Sequence, residues 1–354
     1  MAGIKEIAAQ LNISSTAVSY ALNGRSGKVS EATRVRVLAL ARDLGYVPNP
    51  SARALIARRT GNIGLVSRQF NNALYTALLL ELAVAVDERG GNLVTCVTGR
   101  VASEHQGQRH LLHTGSVDGV LAIPYALPGL ETVDSPWMQG PMVLLLPDRD
   151  LPGVPSVTFD DADGIAQAAA HLWTLGHRTI LFVQGLGPKN EDSPLGLRRL
   201  TALRAAWQSL GGNGEYDILV ARGQATTGGG YDALRQVLGS PGVLPPFTGV
   251  IAYNDQIAQG AVSALSEHGL RVPQDVSLIG WNDLDDRGRF DLPARTAVRV
   301  PIHQLARTAL DLLHLQIEGL HPVEYRLAQQ SVRLPVELIV RASTSPARRR
   351  ENAL

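Results

Sequence analysis

The sequence predicts a small all-α helix-turn-helix head followed by a larger α/β core of two lobes, with parallel sheets flanked by helices. Residues 4–23 and 30–44 carry the apolar spacing of three short helices. From residue 62 onward, strand-like apolar runs alternate with helical runs, which indicates parallel sheets covered by helices on both faces. The charge divides at the same point, because residues 1–60 hold nine cationic and three anionic side chains in a chain of net charge +1.

Two short helices joined by a tight turn are predicted within residues 4–23. Apolar residues share one face of each helix: Ile4, Ile7, Ala8 and Leu11 in the first, and Ile13, Val18 and Leu22 in the second. Asn12 suits the turn, and Ser14 suits the N-cap of the second helix. When that helix docks by its apolar face, the side chains that point outward are Ser15, Thr16, Ser19, Tyr20 and Asn23.

This helix pair has two interpretations. Small polar side chains near the start of an exposed helix suit the major groove of DNA. The alternative is a helical hairpin that only caps a larger domain, and it leaves the clustered positive charge unexplained. A basic head on a mildly acidic body favours a polyanion as the partner, so we interpret the head as a DNA-binding unit.

A third helix and a linker complete the head. The helix is predicted over residues 30–44, with Ser30 as its N-cap and Gly45 at its end. Two prolines interrupt the pattern after it, and residues 50–58 can form one further short helix. Because a helix of that length is unstable alone, we expect this linker helix to need a partner.

The core is predicted to contain eight strands, at residues 63–66, 92–97, 119–124, 141–146, 179–184, 217–221, 249–253 and 276–281. The helical runs cover residues 73–89, 104–114, 162–175, 197–210, 229–238, 256–268 and 302–318. Eight strands are too many for one compact sheet with these loops, so we expect two lobes that join near residues 151–157. Two open parallel sheets leave a ligand cleft at the carboxyl ends of their strands.

Other kinds of chemistry have little support in the sequence. The single cysteine, Cys96, excludes an intrachain disulfide and fits a reducing cytoplasm. No signal peptide or membrane span is visible. No carboxylate pair completes a metal site with His105, His110 and His113, and residues 223–231 lack the ending of a phosphate loop. We therefore expect no catalytic residue, no metal, no cofactor and no membrane partner.

Eight stretches of the chain resemble the lactose/galactose repressor (LacI/GalR) family of transcription regulators. They run in order over about residues 3–342: IKEIAAQLNISSTAVSYALNG, VSEATRVRVLALARDLGYVPNPSARAL, TGNIGLV, DGVLAIP, GIAQAAAHLWTLGHRTILFV, AYNDQIAQGAVSAL, VPQDVSLIGWND and LPARTAVRVPIHQLARTAL. The first two stretches are specific as a pair, because the hinge follows the three-helix head at the distance usual in the family.

The resemblance implies a division of the chain. It places a helix-turn-helix DNA-binding domain at residues 1–46, a hinge helix and linker at 47–60 and a periplasmic-binding-protein-like effector core at 61–342. Within the core, one lobe is expected to hold about residues 61–157 and 290–319, and the other about 158–289 and 320–342. Residues 343–354 are expected to be a disordered tail. This tail has no leucine heptads, so we expect a homodimer rather than a tetramer.

The resemblance also assigns DNA contacts. Bases would be read by Ser15, Thr16 and Tyr20, and phosphates would be contacted by Ser19, Asn23, Lys28 and Ser30. In the hinge, Ala52 would lie in the minor groove and Leu55 would wedge into a base step. Many members carry arginine where this chain has Tyr20, and tyrosine lacks the bidentate contact to guanine. Tyr20 could instead pack against the hinge or the backbone.

The effector residues implied by the resemblance are Leu74, Tyr75, Asp160, Arg199, Asn254 and Asn282. Arg199 is expected to precede the helix over 200–210. Most members have aspartate where this chain has Asn282, and an altered segment places Arg68 and Gln69 near the cleft mouth. A sugar, a nucleoside and an anionic metabolite all remain candidate effectors.

Together these observations predict a cytoplasmic, nucleoid-associated regulator of transcription. We expect a repressor whose affinity for a near-palindromic operator is controlled by a small metabolite, with a sugar as one candidate. A corepressor-dependent repressor or an activator of the same family is the alternative. A solute-binding protein would need a signal peptide and no basic head, and an enzyme fused to a DNA-binding head would need an acid–base pair or a phosphate loop.

Overall fold

The structure is a computed structural model that describes residues 3–22, 27–46, 59–67, 72–97, 115–123, 140–148, 151, 153–187, 190–241, 243–319 and 331–348. These residues belong to two compact units, residues 1–61 and residues 62–354. Within the described ranges, no helix has both the length and the apolar character needed to span a membrane.

The first unit contains three helices: α1 (Ile4–Leu11), α2 (Ser15–Leu22) and α3 (Glu31–Asp43). Asn12 ends α1 in the left-handed conformation, with φ +53°, which asparagine tolerates better than most residues. The core between the helices is small and consists of Ile7, Ala8, Val18, Ala21, Val37 and Ala41. The apolar spacing of the sequence therefore predicted this helix pair and its buried face.

The second unit contains two six-stranded sheets. In the first sheet the strands are β1 (Asn62–Ser67), β2 (Asn92–Val97), β3 (Gly119–Ala122), β4 (Met142–Leu145), β5 (Ser156–Phe159) and β11 (Ser331–Leu334). Their order is β11-β5-β4-β3-β1-β2, and all neighbours are parallel. Two helices that pack against this lobe are α4 (Ala73–Asp87) and α9 (Ile302–Glu318).

Close packing joins α9 to the first sheet. A Cβ on Gly119 would lie 2.9 Å from the Leu313 Cδ1 atom, so α9 packs closely on β3 and a larger residue at 119 would force Leu313 to move. The same helix is tied to α4 at its surface by the pair Arg307–Glu88 at 2.6 Å. Helix α9 therefore belongs to the first lobe.

The second sheet contains β6 (Ile180–Leu186), β7 (Ile218–Gln224), β8 (Gly249–Ala252), β9 (Ser277–Asn282), β10 (Thr296–Arg299) and β12 (Glu337–Ile339). The strand order is β12-β10-β9-β8-β6-β7, with only β12 antiparallel to its neighbour among these pairs. Its helices are α5 (Asp161–Thr174), α6 (Pro194–Ser209), α7 (Thr227–Val237) and α8 (Asp255–Glu267). These two parallel-strand lobes confirm the predicted fold class.

The positions at which the chain crosses between lobes differ from the expected ones. Strand β10 pairs with β9 in the second sheet, so the segment from 290 to 299 does not belong to the first lobe and the expected crossing near 290 is wrong. Strand β11 pairs with β5 in the first sheet, so the crossing expected near 320 lies between β11 and β12. These pairings join segments far apart in the chain, which local sequence patterns do not reveal.

The beginning of the expected disordered tail is also ordered. Ser343 is buried, and its Oγ accepts a bond from the Thr296 backbone N–H at 2.8 Å. Further along, the Ala347 backbone N–H donates to the Leu175 carbonyl oxygen at 2.8 Å. Residues 343–348 therefore pack on the second lobe, which corrects the expectation for this part of the tail. Residues 349–354 lie outside the described residues, as do the helices expected over 50–58 and 104–114.

Candidate DNA-reading helix and effector site

Helix α2 presents a polar surface opposite its buried face. Val18 and Ala21 are buried in the head core, whereas Ser15 and Thr16 are exposed and Ser19 and Tyr20 are half-buried. This orientation follows from the sequence, because residues three apart on a helix share a face. The first turn of α2 is the part that enters the groove in helix-turn-helix proteins, and here it carries the two most exposed of these side chains.

Capping leaves the first-turn side chains of α2 available. Ser14 precedes the helix, and its Oγ accepts a hydrogen bond from the Ala17 backbone N–H at 3.1 Å. Since Ser14 satisfies that donor, Ser15 and Thr16 are not needed as caps. The Oγ of Ser30, in contrast, accepts a bond from the Thr33 backbone N–H at 3.2 Å. Ser30 therefore has a structural role at the start of α3 besides the phosphate contact expected for it.

The remaining DNA-contact candidates fall into two groups. Lys28 is exposed between α2 and α3, and further exposed cations on the head are Lys5, Arg36 and Arg42. Such side chains suit phosphate contacts, which orient a protein on DNA without reading its sequence. The other group lies outside the described residues and consists of Asn23, Ala52 and Leu55.

Several effector candidates lie at the carboxyl ends of strands, Asp160 after a strand of the first sheet and Asn254 and Asn282 at strands of the second. Asp160 follows β5 and caps α5, with its Oδ1 accepting a bond from the Asp163 backbone N–H at 3.1 Å. Asn254 follows β8 and caps α8, with its Oδ1 accepting from the Ile257 backbone N–H at 2.8 Å. Asn282 ends β9 and is buried, with φ +100°. Carboxyl ends of parallel strands are the usual place for a ligand in such sheets.

Arg199 lies inside a helix rather than before one. Helix α6 begins at Pro194, so the expected start at residue 200 is wrong and Arg199 occupies the second turn. Its Nε and Nη2 both donate to the Asp161 Oδ1, at 2.9 and 2.5 Å. Its Nη1 donates to the Tyr253 carbonyl oxygen at 2.7 Å. The guanidinium carbon lies 4.0 Å from the centroid of the Trp281 ring, which it contacts face-on.

The first lobe contributes the start of α4. Leu74 and Tyr75 lie in the first turn of this helix, just beyond the end of β1, and both are half-buried against the main core. The helix is capped by Asn72, whose Oδ1 accepts a bond from the Leu74 backbone N–H at 2.9 Å. Arg68 and Gln69, which were expected near the cleft mouth, lie outside the described residues.

Three residues of this site were not singled out from the sequence: Asp161, Tyr253 and Trp281. Each is adjacent in the chain to a candidate, because they follow or precede Asp160, Asn254 and Asn282. Burial raises the pKa of the Tyr253 phenol, and the nearby carboxylates of Asp161 and Asp148 act in the same direction. Since Asp148 comes just after β4, this phenol lies within electrostatic range of the first lobe.

Behind the two asparagines lies a network of buried ion pairs. Asp283 is buried and accepts bonds from Arg299 Nη2 at 2.6 Å and Arg341 Nη2 at 2.7 Å. Asp255 lies 3.2 Å from Arg295. Burial raises the pKa of the Asp255 carboxyl to about 6, and Arg295 only partly opposes this effect. The network fixes the backbone at both asparagines.

A groove on the second lobe lies apart from the effector candidates. A groove of about 240 Å³ lies on the second lobe beside α8, and its lining includes Val262, Leu278, Leu292, Pro293 and Arg295. None of its lining residues is an effector candidate. Over the described ranges, no group of three or more His, Cys, Asp or Glu side chains is placed to hold a metal ion.

Comparison with known families decides the class of protein. Residues 3–49 match a family model described as bacterial regulatory proteins, lacI family, and residues 169–344 match a periplasmic binding protein-like domain. The HTH-type transcriptional regulator CelR of Thermobifida fusca is 33% identical over 351 residues, which are 96% of this chain and 97% of CelR. The chain belongs to the LacI family. It is a DNA-binding transcriptional regulator with an effector-binding core.

Other LacI-family relatives can also be aligned with this regulator over nearly its whole length. DegA of Bacillus subtilis is 28% identical, over 97% of this chain and 98% of DegA. A solved complex of a regulator CelR with cellobiose is 30% identical, with a TM-score of 0.65 over 97% of this chain and all of that chain. The lac repressor dimer bound to operator, at 24% identity, has a TM-score of 0.82 over 97% of this chain and 99% of its own, and so shares the fold.

Proposed function

We propose that this LacI-family chain is a repressor that binds a near-palindromic operator as a homodimer and releases it when a small molecule occupies the site between the lobes. The observation that carries the proposal is the first turn of α2, where Ser15 and Thr16 are exposed on a helix whose opposite face is buried. The order of a basic head followed by a two-lobed core supports the coupling of DNA binding to a ligand.

The proposed DNA contacts follow the division between base reading and positioning. Ser15, Thr16 and Tyr20 are assigned to bases, since they lie on the outward side of α2. Ser19, Asn23, Lys28 and Ser30 are assigned to phosphates, Ala52 to the minor groove and Leu55 to a wedge between base pairs. Because Tyr20 replaces the arginine common in the family, we expect an operator without the guanine that such an arginine would read.

The proposed effector site uses Leu74 and Tyr75 from the first lobe and Asp160, Arg199, Asn254 and Asn282 from the second. A carbohydrate is the class we favour, because the site combines an aromatic ring, amides and carboxylates that suit hydroxyl groups. The relative CelR, solved with cellobiose, supports the same class. Asn282 stands where most members of the family have an aspartate. A carboxylate only accepts hydrogen bonds, whereas the Asn282 amide can bond either a donor or an acceptor on the ligand.

The proposed homodimer uses an apolar surface on the second lobe. Phe290 and Leu292 project from the loop before β10 and are 79% and 94% exposed. Leu292 forms one edge of the groove that also includes Val262 and Pro293. Large apolar side chains beside an apolar groove suit an isologous contact, in which each copy inserts these residues into the groove of the other. The solved lac repressor dimer supports this choice of a second copy.

Further assignments complete the proposal. The head is assigned to residues 1–46, the hinge to 47–60 and the effector core to residues 61–348, which include the ordered segment after residue 342. We assign no catalytic activity to the chain, since its relatives are transcriptional regulators. We place it in the cytoplasm, where operator DNA lies.

A reporter experiment tests the sign of regulation. DNA that the full-length protein selects from a random duplex library is placed over a promoter, and transcription is measured with and without the protein. Repression predicts a fall in transcription that Leu55→Ala weakens, because the wedge acts on specific sites. A rise in transcription would assign the chain to the activators, and equal losses by Leu55→Ala on selected and random DNA would contradict the wedge.

A further inference from the structure

The charge of Arg199 is already balanced by the protein. Asp161 accepts two of its N–H groups, and the Tyr253 carbonyl oxygen accepts a third. The side chains of Arg199 and Asp161 are only 5% and 15% exposed. Two charge-assisted bonds to one carboxylate oxygen are strong where little water reaches them, so this guanidinium is held by the protein before any ligand arrives.

Aromatic rings occupy the rest of the surroundings of this guanidinium. Its central carbon lies 4.0 Å from the Trp281 ring centroid and 5.2 Å from that of Tyr253. A ring face attracts the cation and offers nothing to an anion. The guanidinium is therefore stabilised by a carboxylate and two rings, all supplied by the chain itself.

The carboxylates nearby repel a further negative charge. Besides burial, the negative charges of Asp161 and Asp148 both raise the pKa of the Tyr253 phenol, and Asp161 contacts Arg199 directly. Asp160 precedes Asp161 at the start of α5. An anionic ligand would have to displace Asp161 from Arg199 and then sit beside these carboxylates. A hydroxyl group meets no such barrier, because it can donate to a carboxylate.

We propose that Asp161 is a specificity-determining residue, which neutralises Arg199 and so restricts the effector site to uncharged, hydroxyl-bearing molecules. The inference rests on the proposed function, since it requires that the effector binds at these strand ends. The sequence left a sugar, a nucleoside and an anionic metabolite as candidate effectors, and this inference excludes the anionic metabolite. A purely structural role, in which Asp161 only joins α5 to α6, predicts that removing its charge changes stability without creating anion binding.

The test uses inorganic phosphate as the probe and needs neither an operator nor an effector. Phosphate is titrated at constant ionic strength into full-length wild type, Asp161→Asn and the double variant Asp161→Asn/Arg199→Gln, and the melting temperature is followed. Asp163→Asn is the matched control, because it removes the same charge from a neighbouring position on α5. The Asp163 side chain is exposed, and among the described contacts it bonds only Gln167, one turn away on the same helix.

The expected result is a saturable, phosphate-dependent stabilisation in Asp161→Asn, with a dissociation constant at least about tenfold lower than in wild type, a difference of about 1.4 kcal/mol. Asp163→Asn should behave as wild type, and the double variant should lose the effect. Equal phosphate affinity in wild type and Asp161→Asn, including no saturable binding in either, would overturn the inference.

A second variant is used if Asp161→Asn does not fold. If Asp161→Asn does not give a cooperative transition, Asp161→Ser keeps an acceptor for Arg199 and replaces it in the same titration. Saturable phosphate binding by the wild type that Arg199→Gln abolishes would overturn the inference whichever variant folds. DNA binding is measured separately, so a protein that fails this test can still be an operator-binding regulator, and one that fails on DNA can still pass it.

Discussion

The backbone N–H of Asp283 donates to the carboxylate of Asp255 across 2.9 Å. These two aspartates directly follow Asn282 and Asn254, the two amide residues of the proposed effector site. Non-glycine residues rarely adopt left-handed backbone, yet Asn282 and Asp283 both do, with φ of +100° and +45°. The bond and the arginines around Asp283 hold this unusual turn in place, so the geometry of both asparagines depends on charges just behind them.

Removing Asp283 should destabilise the core strongly. Asp283→Ala removes the buried carboxylate shared by Arg299 and Arg341 and leaves them only the more exposed Asp286, and each lost hydrogen bond between charged groups costs about 1.5–3 kcal/mol. Denaturation by urea, followed by circular dichroism, measures this loss. Asp285→Ala is the control, because Asp285 pairs with Arg287 at a position where both side chains are about two-thirds exposed, and it should cost no more than about 1 kcal/mol. Similar losses in both variants would contradict the structural role of the network.

The contact of His177 with the ordered segment 343–348 should weaken in acid. Burial lowers the pKa of His177 to about 4, and its ring bonds the Thr248 hydroxyl at 2.8 Å and the Ser345 carbonyl oxygen at 3.2 Å. A lowered histidine pKa means that the unfolded chain binds the proton first as pH falls, so stability present above pH about 6.5 is lost towards pH about 4. Urea denaturation across this range should show a steeper loss in wild type than in His177→Gln. Parallel curves for the two proteins would contradict the assignment.

A charge at the proposed dimer surface should separate the copies. Phe290→Asp places a carboxylate among apolar residues that are buried in the proposed dimer, and we expect a monomer at micromolar concentration with the melting temperature little changed. Analytical ultracentrifugation measures the mass. Tyr216→Asp is the matched control, because Tyr216 has the same 79% exposure and lies outside the groove. A Phe290→Asp protein that remains dimeric would refute this choice of surface.

The two classes of DNA contact should respond differently to substitution. Thr16→Ala should lower operator discrimination by about 1–3 kcal/mol at one base position, because it removes a base contact. Lys28→Gln should weaken binding to all sequences alike and reduce the slope of affinity against salt by about one. Fluorescence anisotropy over a salt series separates the two effects. If both variants lose affinity uniformly, α2 does not read bases through Thr16.

The sequence predicted those parts of the fold that depend on local periodicity. The helix pair with Asn12 in its turn, and the long apolar strands of both lobes, follow from spacing alone. Strands β5, β10, β11 and β12 were not predicted, because polar or charged residues leave them without the continuous apolar run that marks the other short strands. Their place is set by pairing partners far along the chain, such as Ser331 beside Ser156, so the lobe boundaries were misplaced.

The candidate site shows the same division. Asp160 and Asn254 were identified through the resemblance to the LacI family, which carries positions along the chain. The partners of Arg199 were not, since Asp161, Tyr253 and Trp281 come from three separate elements and meet only in the folded core. The ordered segment after residue 342 was missed for a related reason, because its contacts are backbone and hydroxyl bonds that leave no periodic pattern.

Sequence-specific DNA binding by this LacI-family chain is tested most directly by a competition titration of the full-length protein. The two competitors are a duplex selected from a random library and the same duplex after one half-site is scrambled. At near-physiological salt, we expect a near-palindromic selected sequence that is bound at least about a thousandfold more tightly than non-specific DNA, with much of that preference lost on scrambling. A protein that selects no common sequence, and binds both duplexes equally, would not be a sequence-specific regulator.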